Sequence, residues 1–204
     1  FSKGDVMSVP ISINSIFSET KMVCFGRFLI EVPISAVVVY GPAEVESSIK
    51  YRKGEAGEVD HYILSRFKEI DGEREFLDEA AKEILPLFGK VINGVRPGQK
   101  IAIGSKNQVG YTILSLVPVG NDLFIQNVSG VLPQENFIEK VNRVATVLEA
   151  RDVKIIPKES GMCIEGGFVP GVYEYERAAV GIRLREFPDV HFSVDVHKNL
   201  EFLN

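Results

Sequence analysis

The residues best spaced to hold a metal ion are His191, Asp195 and His197, near the end of the chain. If this run is a β-strand, all three side chains lie on one face, because successive side chains alternate between faces. At a rise of about 3.3 Å per residue, the two histidines would be roughly 20 Å apart, too far to share one ion without a bend. The sequence therefore favours a solvated polar face here, and we assign no metal ligands.

Acidic residues occur in close pairs that could serve as a general acid and a general base. These pairs are Glu44 with Glu46, Glu73 with Glu75, and Asp78 with Glu79. Acid–base catalysis needs a carboxyl group in a pocket that shifts its pKa, and spacing along the chain does not supply such a pocket. The sequence favours solvated surface charges for these pairs, and a surface position on the polar side of a helix for His61.

The common enzyme motifs do not occur in the sequence. A G-x-S-x-G nucleophile elbow is missing, as are the G-x-x-x-x-G-K-[ST] and G-x-G-x-x-G phosphate cradles. Gly166-Gly167 is followed by strand-like residues, so we predict a turn or a bulge there. We therefore assign no catalytic residues and no cofactor site, and we predict that the chain is not an enzyme.

The composition is typical of a globular protein and excludes several function classes. The chain has 204 residues, of which 45% are apolar, and a formal net charge of −5. A mildly acidic protein repels phosphate backbones, which argues against nucleic acid as a partner. The longest apolar run, 36–40, has the length of a strand, whereas a membrane span needs about 20 apolar residues. We expect no membrane span in this chain.

Two features bear on the cellular compartment. The chain begins at Phe1 and contains no signal peptide, so we interpret it as a processed or trimmed product, which leaves room for a lost export signal. Its two cysteines, Cys24 and Cys163, are too few and too far apart for a typical zinc site. They are candidates for one disulfide in an oxidising compartment, or for two buried free thiols, and the composition leaves both alternatives open.

Hydrophobic periodicity predicts an α+β fold. Strands are predicted at 22–32, 36–40, 45–52, 100–104, 110–119 and 123–128, and helices at 59–70, 76–85 and 134–150. Asp71-Gly72 is the expected break between the first two helices, and Gly120-Asn121-Asp122 is a hairpin signal. This order favours an antiparallel sheet with helices packed on one face.

Charged residues, Pro157 and Ser160-Gly161 cluster at a predicted domain boundary. We expect an N-terminal α+β domain at 1–150, a linker at 151–160 and a β-rich segment at 161–204. This last segment is too short for an independent core. We interpret it as the beginning of a C-terminal domain that is cut short, or as a β extension packed on the first domain.

Two cysteine-containing elements resemble a known family. The first is the run M-V-C-F-G-R-F-L-I-E-V-P from Met22 to Pro33, and the second is C-I-E-G-G-F from Cys163 to Phe168, followed by F-P-D-V at 187–190. Together they resemble immunity proteins paired with phospholipase toxins of the bacterial type VI secretion system. The match covers both ends of the chain, and its motifs have a structural rather than a catalytic character.

The resemblance implies a function. Such immunity proteins are periplasmic, bind a lipase-like effector, and block substrate access or lid movement without performing chemistry or using a cofactor. It also implies that the second domain continues past Asn204. A periplasmic location would favour a Cys24–Cys163 disulfide, although the two residues open different predicted domains and need not lie close enough to bond. The resemblance assigns no effector-binding residues.

Two other hypotheses stay open from the sequence alone. The first is a non-catalytic envelope assembly or binding module with the same fold, and it would retain a machine component rather than a toxin. The second, ranked lowest, is an enzyme whose site is built from scattered carboxylates and histidines. A neighbouring gene that encodes a lipase with a G-x-S-x-G elbow would favour the immunity protein over both.

Overall fold

The computed structural model describes residues 13–76, 87–105 and 110–199, and every structural statement below refers to these residues. The helices are α1 (Ile13–Ile16), α2 (Val59–Glu75) and α3 (Gln134–Val147). The strands are β1 (Thr20–Phe25), β2 (Phe28–Pro33), β3 (Val37–Val45), β4 (Ser48–Arg52), β5 (Leu87–Asn93), β6 (Lys100–Ser105), β7 (Tyr111–Val119), β8 (Asp122–Gly130), β9 (Glu149–Ala150), β10 (Gly161–Ile164), β11 (Gly167–Pro170), β12 (Tyr175–Arg183) and β13 (His191–Asn199). None of the described helices is long and apolar enough to cross a bilayer.

One antiparallel sheet dominates the architecture, which confirms the predicted α+β class. Within the described residues it has eight strands in the order β13-β12-β3-β4-β8-β7-β6-β5. The hairpin β1–β2 and the small sheet β10-β11-β9 accompany it. Gly120-Asn121 forms the two-residue connection between β7 and β8, as the sequence predicts.

The two longer helices pack on opposite faces of the sheet, whereas the sequence led us to expect one face. Leu123 and Ile125 of β8 share a core cluster with α2, and Phe124 between them shares a cluster with α3. Three consecutive buried residues are the signature of a strand that is covered on both sides. Our prediction of a one-sided sheet overlooked this run.

Several element boundaries also differ from the predicted ones. Helix α2 continues through Asp71-Gly72 to Glu75 without the expected break. The predicted helix at 76–85 falls almost entirely outside the described residues. The predicted strand at 45–52 is interrupted by a tight turn in which Glu46 adopts a positive φ of 57°. The short strands β10 and β11 flank Gly166, which forms the turn that we predicted for Gly166-Gly167.

Strand pairing crosses the predicted domain boundary. Strand β12 runs antiparallel to β3 from Glu176↔Val45 to Arg183↔Val37, and β13 then pairs with β12 along its whole length. Strands β12 and β13 therefore extend the same sheet as the N-terminal strands, whereas β10 and β11 pair with β9 in the small sheet. The division into 1–150, 151–160 and 161–204 stays a prediction, with the β extension as the alternative that this pairing favours.

The sheet splits where β3 meets β4. The two strands pair only at Ala43↔Ile49 and Glu44↔Ser48, whereas β4 pairs with β8 over all five of its residues. Pro42 precedes the paired segment and has no N–H to donate, and the β12–β3 register shifts beside it. Residues 37–42 of β3 consequently have one edge that no described strand covers.

Gly166 should be intolerant of a side chain. Its φ is +64°, and a Cβ would lie 2.2 Å from the Tyr51 ring. We expect Gly166→Ala to lower the free energy of unfolding by about 3 kcal/mol, through backbone strain and this clash. Gly54→Ala is the matched control, because Gly54 has a φ of +73° but open space around it, so it should lose only about 1 kcal/mol. Equal losses in urea denaturation would contradict the clash.

Candidate functional site

A cleft of about 1020 Å³ opens at the split between β3 and β4. Its walls are residues 21–23 of β1, residues 38–40 of β3, the end of β4 with Tyr51, and the loop 150–156 without Ile155. Three consecutive residues from each of β1 and β3 line it. Because side chains alternate between faces, consecutive residues can line one cleft only where a strand presents its backbone edge.

Arg151 holds the loop wall of the cleft. Its side chain is nearly buried, with 9% of the residue exposed. The guanidinium donates to the carbonyl oxygens of Gly167 at 3.2 Å, Ile155 at 2.9 Å and Ile164 at 3.3 Å. These acceptors are neutral, so they order the loop and satisfy the donors without cancelling the positive charge.

Positively charged groups outnumber carboxylates along the cleft. Lys21, Lys53, Arg151 and Lys154 face Asp122, Asp152 and Glu165. Lys21 donates to the Ala36 carbonyl oxygen at 2.7 Å, so its charge is not paired there. The carboxylate of Asp122 is occupied by the Gly54 N–H at 2.8 Å and the Tyr51 hydroxyl at 3.1 Å. The lining of the cleft therefore has a formal excess of one positive charge, on a chain whose net charge is −5.

Apolar side chains complete the lining. Val39 is 61% exposed, and Met22 and Val153 are also exposed. Burial, followed by the hydrogen bond to Asp122, raises the pKa of Tyr51 above its usual value, so its hydroxyl stays protonated at neutral pH. A site with exposed aliphatic groups, an excess of cations and strand edges is equipped to bind a polypeptide.

The structure joins Cys24 and Cys163 in a disulfide beside this cleft. The Cα atoms are 5.7 Å apart. Two backbone hydrogen bonds between Gly26 and Cys163, each 2.8 Å long, hold β1 against β10. The sulfur atoms pack with Phe168 and Ile156, and Ile156 also lines the cleft. The bond ties the β1–β2 hairpin to a segment 139 residues away.

A second cluster of charges fastens the tip of the same hairpin. Arg27 donates from both Nε and Nη2 to the carboxylate of Glu176, and its Nη2 also donates to the Gly171 carbonyl oxygen at 2.6 Å. The Tyr173 N–H donates to Glu176 Oε1 at 2.9 Å. Burial raises the pKa of Glu176, but the hydrogen bonds from Arg27 and Tyr173 outweigh it, so the pKa lies below its usual value.

Glu46 is not the solvated surface charge that the sequence favoured. Its side chain is buried, Oε1 accepts from the Glu174 N–H at 2.9 Å, and its carboxylate pairs with Lys140 at 3.3 Å and Arg143 at 3.2 Å. The tight turn at Glu46 directs the side chain toward α3. Its partner in sequence, Glu44, stays partly exposed and contacts Arg177 at 3.5 Å.

The histidine and aspartate residues of β13 are not gathered into one site. His191, Asp195 and His197 lie on one face, as alternation predicts, and Asp195 accepts from Arg177 Nε at 3.1 Å and Nη2 at 2.6 Å. Among the described residues, no group of three or more His, Cys, Asp or Glu side chains could hold a metal ion. His61 is exposed on α2, near Ser65.

Arg151 and Glu176 organise the site although neither was predicted from the sequence to do so. Glu176 had a readable signal, because it shares its strand face with Ala178, Val180 and Ile182. A lone charge in an apolar alternation indicates a buried ion pair. Arg151 had no such signal, since all but one of its acceptors are backbone carbonyl groups, which any sequence carries.

This fold is that of solved immunity proteins of the type VI secretion system (T6SS). The apo structure of the immunity protein TplEi of T6SS from Pseudomonas aeruginosa has a TM-score of 0.72 and 21% identity, covering 87% of this chain and 60% of that chain. The Tle4–Tli4 complex has a TM-score of 0.71 and 21% identity, covering 90% of this chain and 63% of that chain. TplEi complexed with "L" peptide has a TM-score of 0.66 and 21% identity, covering 91% of this chain and 63% of that chain.

A family model covers the C-terminal segment. Residues 155–201 match the Tle cognate immunity protein 4 C-terminal domain. No curated protein matches the chain. The chain spans about 60% of the length of the first solved relative. These findings confirm the resemblance to T6SS immunity proteins that the two cysteine-containing elements indicated.

The Arg27–Glu176 pair should make stability depend on acid pH. The pKa of Glu176 is lowered in the folded chain, so the unfolded chain binds the proton first and acid favours unfolding. The ionised Glu176 carboxylate contributes its full share of the free energy of unfolding above about pH 4.3, the usual pKa of a glutamate. This stabilisation is lost as the pH falls through the lower pKa that Glu176 has in the folded chain. Urea denaturation between pH 7 and pH 3 should show this loss.

Glu176→Gln should flatten that acid dependence. It should also lower the free energy of unfolding at pH 7 by roughly 2 kcal/mol, because Arg27 loses its charged partner. Asp195→Asn is the matched control for the loss at pH 7 only, since its pairing with Arg177 is exposed and screened by solvent. An unchanged acid slope in Glu176→Gln would contradict the assignment.

Removal of the disulfide should destabilise the chain without abolishing the fold. The double variant Cys24→Ser/Cys163→Ser should lose about 3 kcal/mol of unfolding free energy, because the unfolded chain regains the freedom that a long closed loop had removed. Thiol alkylation followed by mass measurement checks the bond itself. The native chain should take up no label before reduction and two labels after it, and labelling before reduction would contradict the bond.

Proposed function

We propose that this chain is a periplasmic immunity protein that binds a cognate T6SS phospholipase effector and inhibits it. The observation that carries the proposal is the match of residues 155–201 to the Tle cognate immunity protein 4 C-terminal domain. The shared fold with solved T6SS immunity proteins, one of them in a complex named Tle4–Tli4, supports it. Inhibition would follow from blocked substrate access or blocked lid movement.

A binding role without catalysis agrees with the chemistry of the described residues. The buried charged residues Glu46, Arg151 and Glu176 all have structural roles, because their ion pairs and hydrogen bonds hold one segment of the chain to another. The cleft offers exposed Val39, Met22 and Val153 together with cations, which suits docking. An inhibitor needs a rigid surface of this kind and no reacting group.

A periplasmic location is supported by the disulfide. Disulfides persist in oxidising compartments such as the bacterial periplasm and are rare in reducing ones. The Cys24–Cys163 bond adds a covalent link between segments that are otherwise joined by backbone pairing and the Arg27 contacts. Such a bond stabilises a protein that must work outside the reach of cytosolic chaperones.

The test is inhibition of a cognate lipase, sought among the neighbouring genes by a G-x-S-x-G elbow. Phospholipase activity should fall to background near an equimolar ratio of the two proteins, and the pair should co-elute on gel filtration. An unrelated lipase should keep its activity, which controls for trapping of substrate. Undiminished activity with no complex would overturn the proposal. Retention of an envelope machine component from periplasmic extract, in place of the lipase, would support the assembly module instead.

A further inference from the structure

We propose that the cleft receives an extended segment of the effector, which adds a β-strand to the open edge of β3. This inference rests on the proposed function and names the surface that would carry it. Strand addition to an exposed sheet edge is a common mode of peptide recognition, in which backbone hydrogen bonds supply affinity and side-chain pockets supply specificity. The geometry of three walls of the cleft supports this mode.

The first wall is the uncovered edge of β3. Strand β12 covers one edge of residues 37–40, and no described strand covers the other, because β4 pairs only with Ala43 and Glu44. In an antiparallel ladder, alternate residues direct both N–H and C=O away from a given neighbour. Every second residue of this stretch therefore presents a donor and an acceptor to the cleft, and such edges are a template for another strand.

The second wall is the edge of β1. The Tyr40 hydroxyl donates to the Cys24 carbonyl oxygen at 2.8 Å, so the Cys24 backbone faces away from β2. By alternation, the backbone of Met22 also faces away from β2, and Met22 lines the cleft. The cleft is thus bounded by strand edges on two sides. This arrangement suits an extended peptide better than a compact small molecule.

The third feature of the cleft is the chemical character of the side chains that line it. Lys53 and Lys154 are exposed and line the cleft with Val39 and Val153. Because cations exceed carboxylates here, an incoming segment with at least one acidic residue would be complementary to the cleft. The volume of about 1020 Å³ is at the upper end of ordinary ligand pockets. The occupant we infer is an apolar strand that carries an acidic side chain.

Hydrogen–deuterium exchange in the complex tests the backbone part of the inference. The probe is the full-length cognate lipase identified by the inhibition test, bound to this chain. Amides in 37–41 should exchange at least tenfold more slowly in the complex than in the free chain, because new hydrogen bonds protect them. Amides of β5, at the far end of the described sheet, are the internal control and should be unchanged.

Charge reversal and an edge substitution test the side-chain part. Lys53→Glu/Lys154→Glu and Val39→Asp should each weaken binding about tenfold or more. Lys68→Glu and Leu64→Asp, at exposed positions of α2, are the matched controls and should leave affinity unchanged. Circular dichroism of each variant in the free state separates lost binding from lost folding.

The outcomes distinguish this inference from the proposed function. A complex that inhibits the lipase, with unprotected 37–41 amides and unaffected cleft variants, would overturn strand addition and leave the function standing. Protection of 37–41 in the free chain that disappears when residues 1–12 are deleted would show this chain's own segment as the occupant, and would also overturn the inference. No complex at all would overturn both.

Discussion

The pairing of β12 with β3 is the interaction on which the rest of the structure depends. It brings residues 175–183 against 37–45, although the two stretches lie more than a hundred residues apart in the sequence. Glu176 reaches Arg27 because this pairing puts the end of β12 beside the hairpin tip. The same register carries β13 into the sheet. Without this ladder, the C-terminal strands would have no surface on which to form.

One edge of β3 is paired and much of the other is not, and this difference creates the cleft. Strand β12 pairs with one edge on both sides of the register shift, whereas β4 pairs with the other edge only at Ala43 and Glu44. Pro42 and the neighbouring register shift bend the strand at this point. The gap persists because Arg151 holds the loop 151–155 open with hydrogen bonds to carbonyl groups, so the loop does not collapse into it. Local backbone chemistry thus produces a feature large enough to bind a partner.

Much of the fold was readable from the sequence, and the failures share one cause. The apolar runs at 110–119 and 123–128 predicted two strands, and the Gly120-Asn121 turn between them predicted a hairpin, because both are local patterns. The side of the sheet on which each helix packs depends on residues far apart in the chain, and no local pattern encodes it. The burial of Glu46 likewise depends on Lys140 and Arg143 of α3, almost a hundred residues later.

The long separation between β3 and β12 also affects how quickly the protein becomes functional. Contacts between distant segments form slowly, because the entropy of closing a long loop is lost before the contact is gained. The sheet is incomplete until its last strands have been synthesised and docked. If the chain neutralises a toxin delivered from outside the cell, newly made molecules would arrive late. Protection would then depend on the reserve of mature protein already present when an attack begins.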